Sequence, residues 1–358
     1  MNCESARNLL TSRGFAVVAI NRIEEGANHD VFEVLMPNRK MGVLKCLLKN
    51  NGRDLESDKD SLFDGPKSLN RQIQIFDVIR NSSAVRVPEI YDSDNESFMF
   101  VEKLDGSLWA NYLLDNDFDK NKYLYSLKKL GEAFADLQKR KFSAFGDLLA
   151  EDQLGNAVTN YADRFLNVLS FRLKSAVLKG AVSETEAKKI NEVLSEGVKK
   201  YHSNLEVDRC DAVIVLDDMH SLNFFVDDKG ESPAFFDVEF AQSAHPSLEY
   251  YSLCLFLFNY FDDNIFIEAQ ESFSTGYLEA GGVCDFKGKM FTDLTDFSTI
   301  SRFVELSCSY YGVKDGLRDG WSLAYKSLID TWLNTGELDY LKAGDVQRKK
   351  MDQPKTPN

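Results

Sequence analysis

At roughly 100–200 residues per domain, a chain of 358 residues makes about two domains or one large bilobal one, enough to bury a core. With 44% hydrophobic and 28% charged residues, including 26 Phe and 14 Tyr, it is neither disordered nor of low complexity. The 57 acidic and 42 basic residues give a net charge of −15, which repels phosphate backbones, argues against nucleic acid as a partner and leans toward a cationic small molecule.

Six cysteines (Cys3, Cys46, Cys210, Cys254, Cys284 and Cys308) lie far apart with no C-x-x-C pair, which reads as buried, reduced thiols in a cytoplasmic protein. Residues 1–20 lack the basic and apolar regions of a signal peptide. The most apolar stretch, residues 250–261, is too short for a bilayer, so no membrane insertion is expected.

Along the chain, the first hundred residues are strand-rich. Residues 15–20 and 41–48 are apolar runs, 31–35 alternates loosely, and Met36-Pro37-Asn38-Arg39-Lys40 has the composition of a turn, so residues 15–48 predict three antiparallel strands. A polar stretch over 50–67 predicts an exposed loop. Leu69, Ile73, Phe76 and Ile79 recur at helical spacing over 68–80. Strand character returns at 85–91 and 97–104, and Asp105-Gly106 closes the unit.

Long helices follow. Leu124, Leu127, Leu130, Phe134 and Leu137 mark one, and Ser183-Glu184-Thr185-Glu186 is a capping box opening another, with Ile190, Val193, Leu194 and Tyr201 on one side. A strand-turn-strand island over 212–216, 224–226 and 234–236 interrupts the helices, with Asp227-Asp228-Lys229-Gly230 as its turn. Helical sequence then continues to about Leu341, before a polar, frayed end over 342–358. The chain thus predicts an α+β architecture. A small antiparallel β N-lobe with one main helix covers 1–104, a larger, mostly helical lobe 105–345, and a polar tail 346–358.

Polar residues at the rim of the island carry the chemistry. Asp218 follows the apolar run 213–216, and Asn223 stands five residues on; Asp237 follows the run 234–236, with Glu239 two further. Carboxylates just past apolar strands can converge on a cation while their backbones stay fixed. Mg²⁺ takes oxygen ligands and keeps several waters, so one or two carboxylates or amides suffice when phosphates complete the shell. Asn223 and Asp237 fit that pair, which leaves Asp218 to accept a hydrogen bond from a substrate hydroxyl.

In the small lobe, Glu25-Gly26-Ala27-Asn28-His29 lies between two predicted strands, where a glycine lets backbone approach phosphate. Lys45, within Val43-Leu44-Lys45-Cys46, is a mid-strand lysine suited to a nucleotide phosphate. Taken singly, Gly26 is a turn glycine, Lys45 an edge-strand lysine, and Asp218 and Asn223 a turn and a cap. Their joint order points to a nucleotide site.

The run Asp218-Met219-His220-Ser221-Leu222-Asn223, followed by Phe236-Asp237-Val238-Glu239, resembles the catalytic segment of the aminoglycoside phosphotransferase and choline kinase-like family, part of the protein-kinase-like superfamily. The family pattern is H-G-D-x-x-x-x-N, then a hydrophobic pair with D-x-D or D-x-E, then a Pro; here Asp218, Asn223, Asp237 and Pro246 follow in order. Gly26 and Asn28 resemble its phosphate loop and Lys45 its strand lysine. Phe100-Val101-Glu102-Lys103-Leu104-Asp105-Gly106 resembles the linker between lobes, and Phe145-Gly146-Asp147 also fits. The resemblance spans residues 15–280.

It implies a two-lobed protein-kinase-like fold and a phosphotransferase, dependent on ATP and Mg²⁺, that moves the γ-phosphoryl group to a hydroxyl of a small molecule. An amino sugar, a choline-like alcohol or a sugar would be the acceptor. The implied roles are Asp218 as the catalytic residue and Asn223 with Asp237 as Mg²⁺ ligands. Lys45 would pair with the α/β-phosphates under Gly26 and Asn28, and adenine would meet the carbonyl of Glu102 and the N–H of Leu104. Gln72 stands where the family has the glutamate that pairs with the lysine. Acceptor specificity would fall to residues 107–205 and 250–341.

Three departures stand out. Leu216 and Asp217 replace the family's His and Gly, Gln72 replaces Glu, and Glu249 stands near the place of an Asp after the Pro. Gln72 can accept from Lys45 without forming an ion pair, and Glu56 is a second candidate partner. Asp217 would either raise the pKa of Asp218 by like-charge repulsion or bind a cationic acceptor. These departures carry an alternative reading, a catalytically impaired pseudokinase serving as a nucleotide-binding or scaffolding module. Retention of Lys45, Asp218, Asn223 and Asp237 favours the enzyme. A protein kinase is disfavoured, because Pro246 and a helix follow Asp237 too closely for an activation segment.

Overall fold

The protein is described by a computed structural model covering residues 1–23, 29–47, 69–94, 96–109, 111, 119–201, 212–219, 223–258, 263–284, 286–311 and 318–351. The small lobe is an antiparallel sheet of β1 (Ala19–Ile23), β2 (His29–Leu35), β3 (Met41–Leu47), β4 (Ile90–Ser93) and β5 (Phe98–Glu102), in the order β1-β2-β3-β5-β4. The three antiparallel strands expected over 15–48 are present. The first begins four residues late, because Phe15 and Val17 pack against the core from the approach to the strand.

Strand β3 alternates, as a half-buried strand must. Leu44 and Cys46 join Phe32, Val34, Phe98 and Phe100 in an outer core. That core is closed by α1 (Cys3–Ser12) through Ala6 and Leu10. This short helix was not expected; its signal is local, Asn2 accepting the N–H of Ser5 at 2.8 Å as N-cap. The opposite face of β3 carries Val43 and Lys45 toward α2 (Leu69–Ser82). On α2 the expected Leu69, Ile73, Phe76 and Ile79 are all buried. They pack into the core of the large lobe, with Leu148, Leu216, Phe224 and Val238. Arg71 seals that junction by donating to the carbonyls of Leu148 and Ala241 at 2.9 and 2.8 Å.

The large lobe runs β6 (Ser107–Leu108), α3 (Lys120–Leu137), β7 (Lys141–Phe142), β8 (Phe145–Ala150), β9 (Gln153–Val158), α4 (Tyr161–Lys179) and α5 (Glu184–Lys200). Then come β10 (Ala212–Val215), β11 (Phe224–Val226), β12 (Ala234–Phe235) and β13 (Gln242–Ala244). Helices α6 (Ser247–Phe258), α7 (Asp263–Glu279), α8 (Lys289–Tyr310), α9 (Arg318–Thr335) and α10 (Tyr340–Met351) complete it. Helices α3 and α7 touch backbone to backbone at two glycines. A Cβ on Gly131 would lie 2.1 Å from the carbonyl oxygen of Phe273, and one on Gly276 2.0 Å from that of Lys128. Among the described residues, no helix is long and apolar enough to cross a membrane.

Four local expectations are corrected. The island is two sheets: β10 sits within β7-β10-β13-β8-β9, whereas β11 pairs with β12 and with β6. Strands β7 to β9 add a sheet to a lobe expected to be mostly helical outside the island, since a Cβ on Gly146 would lie 2.6 Å from the carbonyl oxygen of Gly155 and a buried Asp147 breaks any apolar alternation. The capping box at Ser183 and Glu186 forms as expected, but the buried stripe of α5 is Ile190, Leu194 and Val198, with Val193 38% exposed. Finally, Ala343 and Val346 bury one face of a helix that runs through Met351, where a frayed end was expected from residue 342.

Candidate functional site

Strand β3 holds Lys45 between its flanking strands, with its ammonium pointing away from the outer core. Its Nζ lies 3.0 Å from Oε1 of Gln72 and 3.4 Å from Oδ1 of Asp237, just past β12. Gln72 is fully buried, and its Nε2 donates to Oε2 of Glu239 at 2.8 Å. The amide therefore uses both polarities, acceptor toward the lysine and donor toward the glutamate. A glutamate at position 72 would face Glu239 as a like charge, so the departure at 72 is matched by Glu239. Burial, then the neighbouring Asp237, raises the pKa of Glu239, with Lys45 opposing.

The second cluster hangs from β10. After Val215 the chain passes a buried Leu216 and turns at Asp217, whose φ of 58° lies in the left-handed region. Glycine adopts that region freely and Asp is among the side chains that tolerate it, so Asp217 fills a turn position where the family pattern has Gly. The carboxylate of Asp217 is sequestered: Gln242 Nε2 donates to it at 2.5 Å. It therefore does not offer itself to a cationic acceptor. Burial pushes its pKa up to about 6, against Arg172 and Arg302. Gln242 accepts in turn from Arg164 at 2.8 Å; Arg164 pairs with Asp147, which also accepts from Asn156 Nδ2 at 2.8 Å. Strand register explains this alignment, with Val215 opposite Gln242 and Gln242 opposite Asp147.

Glu249, at the start of α6, accepts the N–H of Leu216 and so fixes the turn from below. Fully buried, its carboxyl is pushed up from 4.5 to about 8. An acid whose pKa is higher folded than unfolded is held protonated by folding, so stability is complete below about pH 4.5 and is lost as pH rises toward 8. Glu249→Gln keeps an oxygen acceptor for Leu216 but cannot ionise. Its melting temperature should gain on wild type by roughly 3–6 °C between pH 5 and pH 8. Parallel melting curves of the two proteins across that range would refute the assignment.

Asp218 follows the turn. Its main-chain carbonyl accepts from Asn223 Nδ2 at 2.7 Å, and its Oδ2 lies 3.4 Å from the same nitrogen. Arg302 of α8 donates from Nη2 to Oδ1 at 3.2 Å. Arg302 also pairs with Glu305 at 2.7 Å, and Glu305 with Arg172 of α4 at 2.7 Å. The Asp218 charge acts on Glu239, Asp217 and Glu249, so it lies within electrostatic reach of both clusters. Sequence reasoning missed Arg302, Glu305, Arg172 and Gln242. The only signal was an Arg and a Glu three apart on a helix, which is common on solvated faces.

Lys45, Gln72 and Asp237 thus come together, as do Asp218 and Asn223. Glu102 ends β5 at the lobe junction; its N–H donates to the carbonyl of Glu89 at 2.8 Å, and its carboxylate pairs with Arg86 at 2.7 Å. Leu104 is buried beside it. Gly26, Asn28 and Glu56 lie outside the described residues. Among the described residues, no group of three or more His, Cys, Asp or Glu is placed to hold a metal alone.

Comparison with known proteins bears on the fold and the family. No curated protein sequence matches. Among solved structures, the chain is similar to a candidate fructosamine-3-kinase from Thermobifida fusca at 12% identity and a TM-score of 0.62, covering 96% of this chain and 99% of that one. It is also similar to an aminoglycoside 2'-phosphotransferase-IIIa in complex with GDP, at 13% identity and a TM-score of 0.58 over 94% and 100% of the two chains. An ethanolamine kinase from Plasmodium vivax aligns at 14% identity and a TM-score of 0.52, over 94% and 82%. At such identities these likenesses establish a shared two-lobed kinase-like fold. The model of the phosphotransferase enzyme family matches residues 20–289. The chain is an enzyme of the phosphotransferase enzyme family.

Proposed function

We propose that this enzyme transfers the γ-phosphoryl group of ATP to a hydroxyl of a small molecule. The observation that carries the reading is the contact of Lys45 in the small lobe with Asp237 in the large lobe at 3.4 Å, a cation and a carboxylate meeting in the cleft. Lys45, held by Gln72, is suited to the α/β-phosphates. Main-chain groups of Glu102 and Leu104 at the lobe junction are suited to adenine, and Gly26 with Asn28 to covering the phosphates.

The donor set fits Mg²⁺. Asn223 spends its Nδ2 on Asp218, which leaves its amide oxygen for a cation, and the Asp237 carboxylate is partly exposed beside Lys45. One amide and one carboxylate are what Mg²⁺ takes when phosphates supply the remaining oxygens. When bound, Mg²⁺ would neutralise charge on the transferring phosphates. Asp218 orients the acceptor hydroxyl and accepts its proton, and catalysis is positioning plus charge compensation. The similar structures are named as a candidate fructosamine-3-kinase, an aminoglycoside phosphotransferase and an ethanolamine kinase, and the acidic balance of this chain favours a cationic acceptor, an amino sugar or choline-like alcohol ahead of a plain sugar. ATP as the proposed donor fits a cytoplasmic reaction.

A thermal-melt titration with ATP, with and without Mg²⁺, tests the site. Ligand at 100 times its Kd adds about 2.7 kcal/mol, a shift of several degrees. Wild type is expected to show that shift only with Mg²⁺, and Asp237→Asn to lose it. No shift at millimolar Mg-ATP would defeat the reading; a shift independent of Mg²⁺ would defeat the metal assignment alone. ADP release in the presence of hydroxyl acceptors then identifies the substrate.

A further inference from the structure

We propose that Arg302 is a positioning residue for phosphoryl transfer, aiming the Asp218 carboxylate through a chain of ion pairs anchored in α4. The inference rests on the reading of Asp218 as the residue that meets the acceptor hydroxyl. A carboxylate on a loop can rotate about two side-chain bonds, yet an acceptor hydroxyl needs one lone pair held in one direction. Asp218 has a donor on each oxygen, Asn223 at 3.4 Å on Oδ2 and Arg302 at 3.2 Å on Oδ1. The Asn223 contact is long, and the same amide nitrogen lies closer to the Asp218 main-chain carbonyl, so Arg302 is the directional restraint.

Arg302 is itself restrained. Its side chain is only 16% exposed, and its Nη1 pairs with Glu305 at 2.7 Å, one turn along α8. Glu305 pairs with Arg172 at 2.7 Å, and Arg172, 5% exposed, also donates from Nη1 to the hydroxyl of Ser301 at 3.0 Å. Burial pushes the Glu305 carboxyl up, but Arg172 and Arg302 outweigh it and the net shift is down, so Glu305 stays an anion between two cations. The guanidinium fork allows one residue to hold Asp218 with one nitrogen and Glu305 with the other; a lysine ammonium lacks that fixed geometry. The consequence is mechanical and electrostatic together. Helices α4 and α8, in the lobe that receives the acceptor, set the direction of the carboxylate that the acceptor must meet, and Arg302 compensates its charge as phosphate approaches.

The test is ADP formation from Mg-ATP with water as acceptor, in wild type, Arg302→Ala, Arg302→Lys and Asp218→Asn. A displacement near 1 Å at a reacting group costs about 10²-fold, so Arg302→Ala should lose roughly 10- to 100-fold in kcat, with KM for ATP within about twofold of wild type. Arg302→Lys should recover only part of the rate, and guanidinium ion at tens of millimolar should raise the rate of Arg302→Ala but not of Asp218→Asn. Melting curves with Mg-ATP check that each variant folds and binds nucleotide. Wild-type kcat in Arg302→Ala alongside an inactive Asp218→Asn would overturn this inference and leave the phosphotransferase reading standing. A raised KM for ATP with unchanged kcat would also overturn it, by placing Arg302 on the nucleotide. Wild-type activity in Asp218→Asn would instead remove the reading of Asp218 beneath it.

Discussion

Asp147→Ala is expected to destabilise the protein by about 3–5 kcal/mol, the cost of removing one partner from a buried ion pair. Asp147 is fully buried on β8 and accepts from both Arg164 and Asn156. Removing it leaves the Arg164 guanidinium, itself 2% exposed, with Gln242 as its acceptor and no carboxylate to balance its charge. The reverse substitution, Arg164→Met, should cost less. Among the described residues, Nε and Nη1 of Arg164 are buried without hydrogen-bond partners, so deleting the arginine returns part of that desolvation penalty. The double variant should therefore be more stable than Asp147→Ala alone. Urea unfolding with an unchanged m-value measures all three. Equal losses in the two single variants would show that stranding the guanidinium is not what sets the cost. Asp147 came to notice in the sequence beside the resemblance to a family motif; its role in the fold is structural, two residues away from the loop through Gln242 and Asp217.

Asp218→Asn should lower transfer to a hydroxyl acceptor by roughly 10²–10⁴-fold, the range for losing a positioned proton acceptor. The amide has nearly the same shape, so packing survives; what it loses is the anionic oxygen paired with Arg302 and the capacity to take a proton. Nucleotide affinity should stay near wild type, because Lys45, Gln72 and Asp237 form a separate cluster. That contrast with Asp237→Asn, which is expected to fail in nucleotide binding, is the informative result. Steady-state ADP release and a Mg-ATP melt on the same preparations separate the two, and joint loss of both properties in Asp218→Asn would sink the division of roles.

Most of the site was legible because its residues follow apolar strands, and a strand's period is short and hard to mistake. Lys45, Asp218 and Asp237 each stand within or just past such a run, so their placement followed from local pattern plus order. Gln72 was legible as a position on α2 but not as a partner of Glu239, since 167 residues of chain separate them and periodicity carries no tertiary information. Arg302 and Arg172 were hidden for the same reason. Each lies on a helix whose polar residues read as solvated until another helix covers them. Strands β7 to β9 were missed on other grounds: a close backbone approach at Gly146 and a buried ion pair do there what apolar alternation does elsewhere. The family resemblance supplied the rest, and the match over residues 20–289 bears it out.

The attachment of α2 has a consequence for how the molecule comes apart. Its apolar face shares a core with β8, β10 and β11, and Arg71 and Gln72 bind it to carbonyls and a carboxylate of the large lobe. The outer face of the sheet keeps a separate core with α1, while its inner face meets the large core through Val43, Met99 and Val101. Cooperative units therefore cut across chain order: α2 opens with the large lobe, and α1 with β1 to β3 can open first, at lower free energy. A fragment ending at residue 104 would carry an orphaned helix with its apolar stripe in water. Two arginine-to-carbonyl bonds and one amide-to-carboxylate bond tie the helix of Gln72 to the large lobe, whereas Lys45 stands on the sheet, so local opening of the sheet alone would part Lys45 from Gln72 before the protein unfolds.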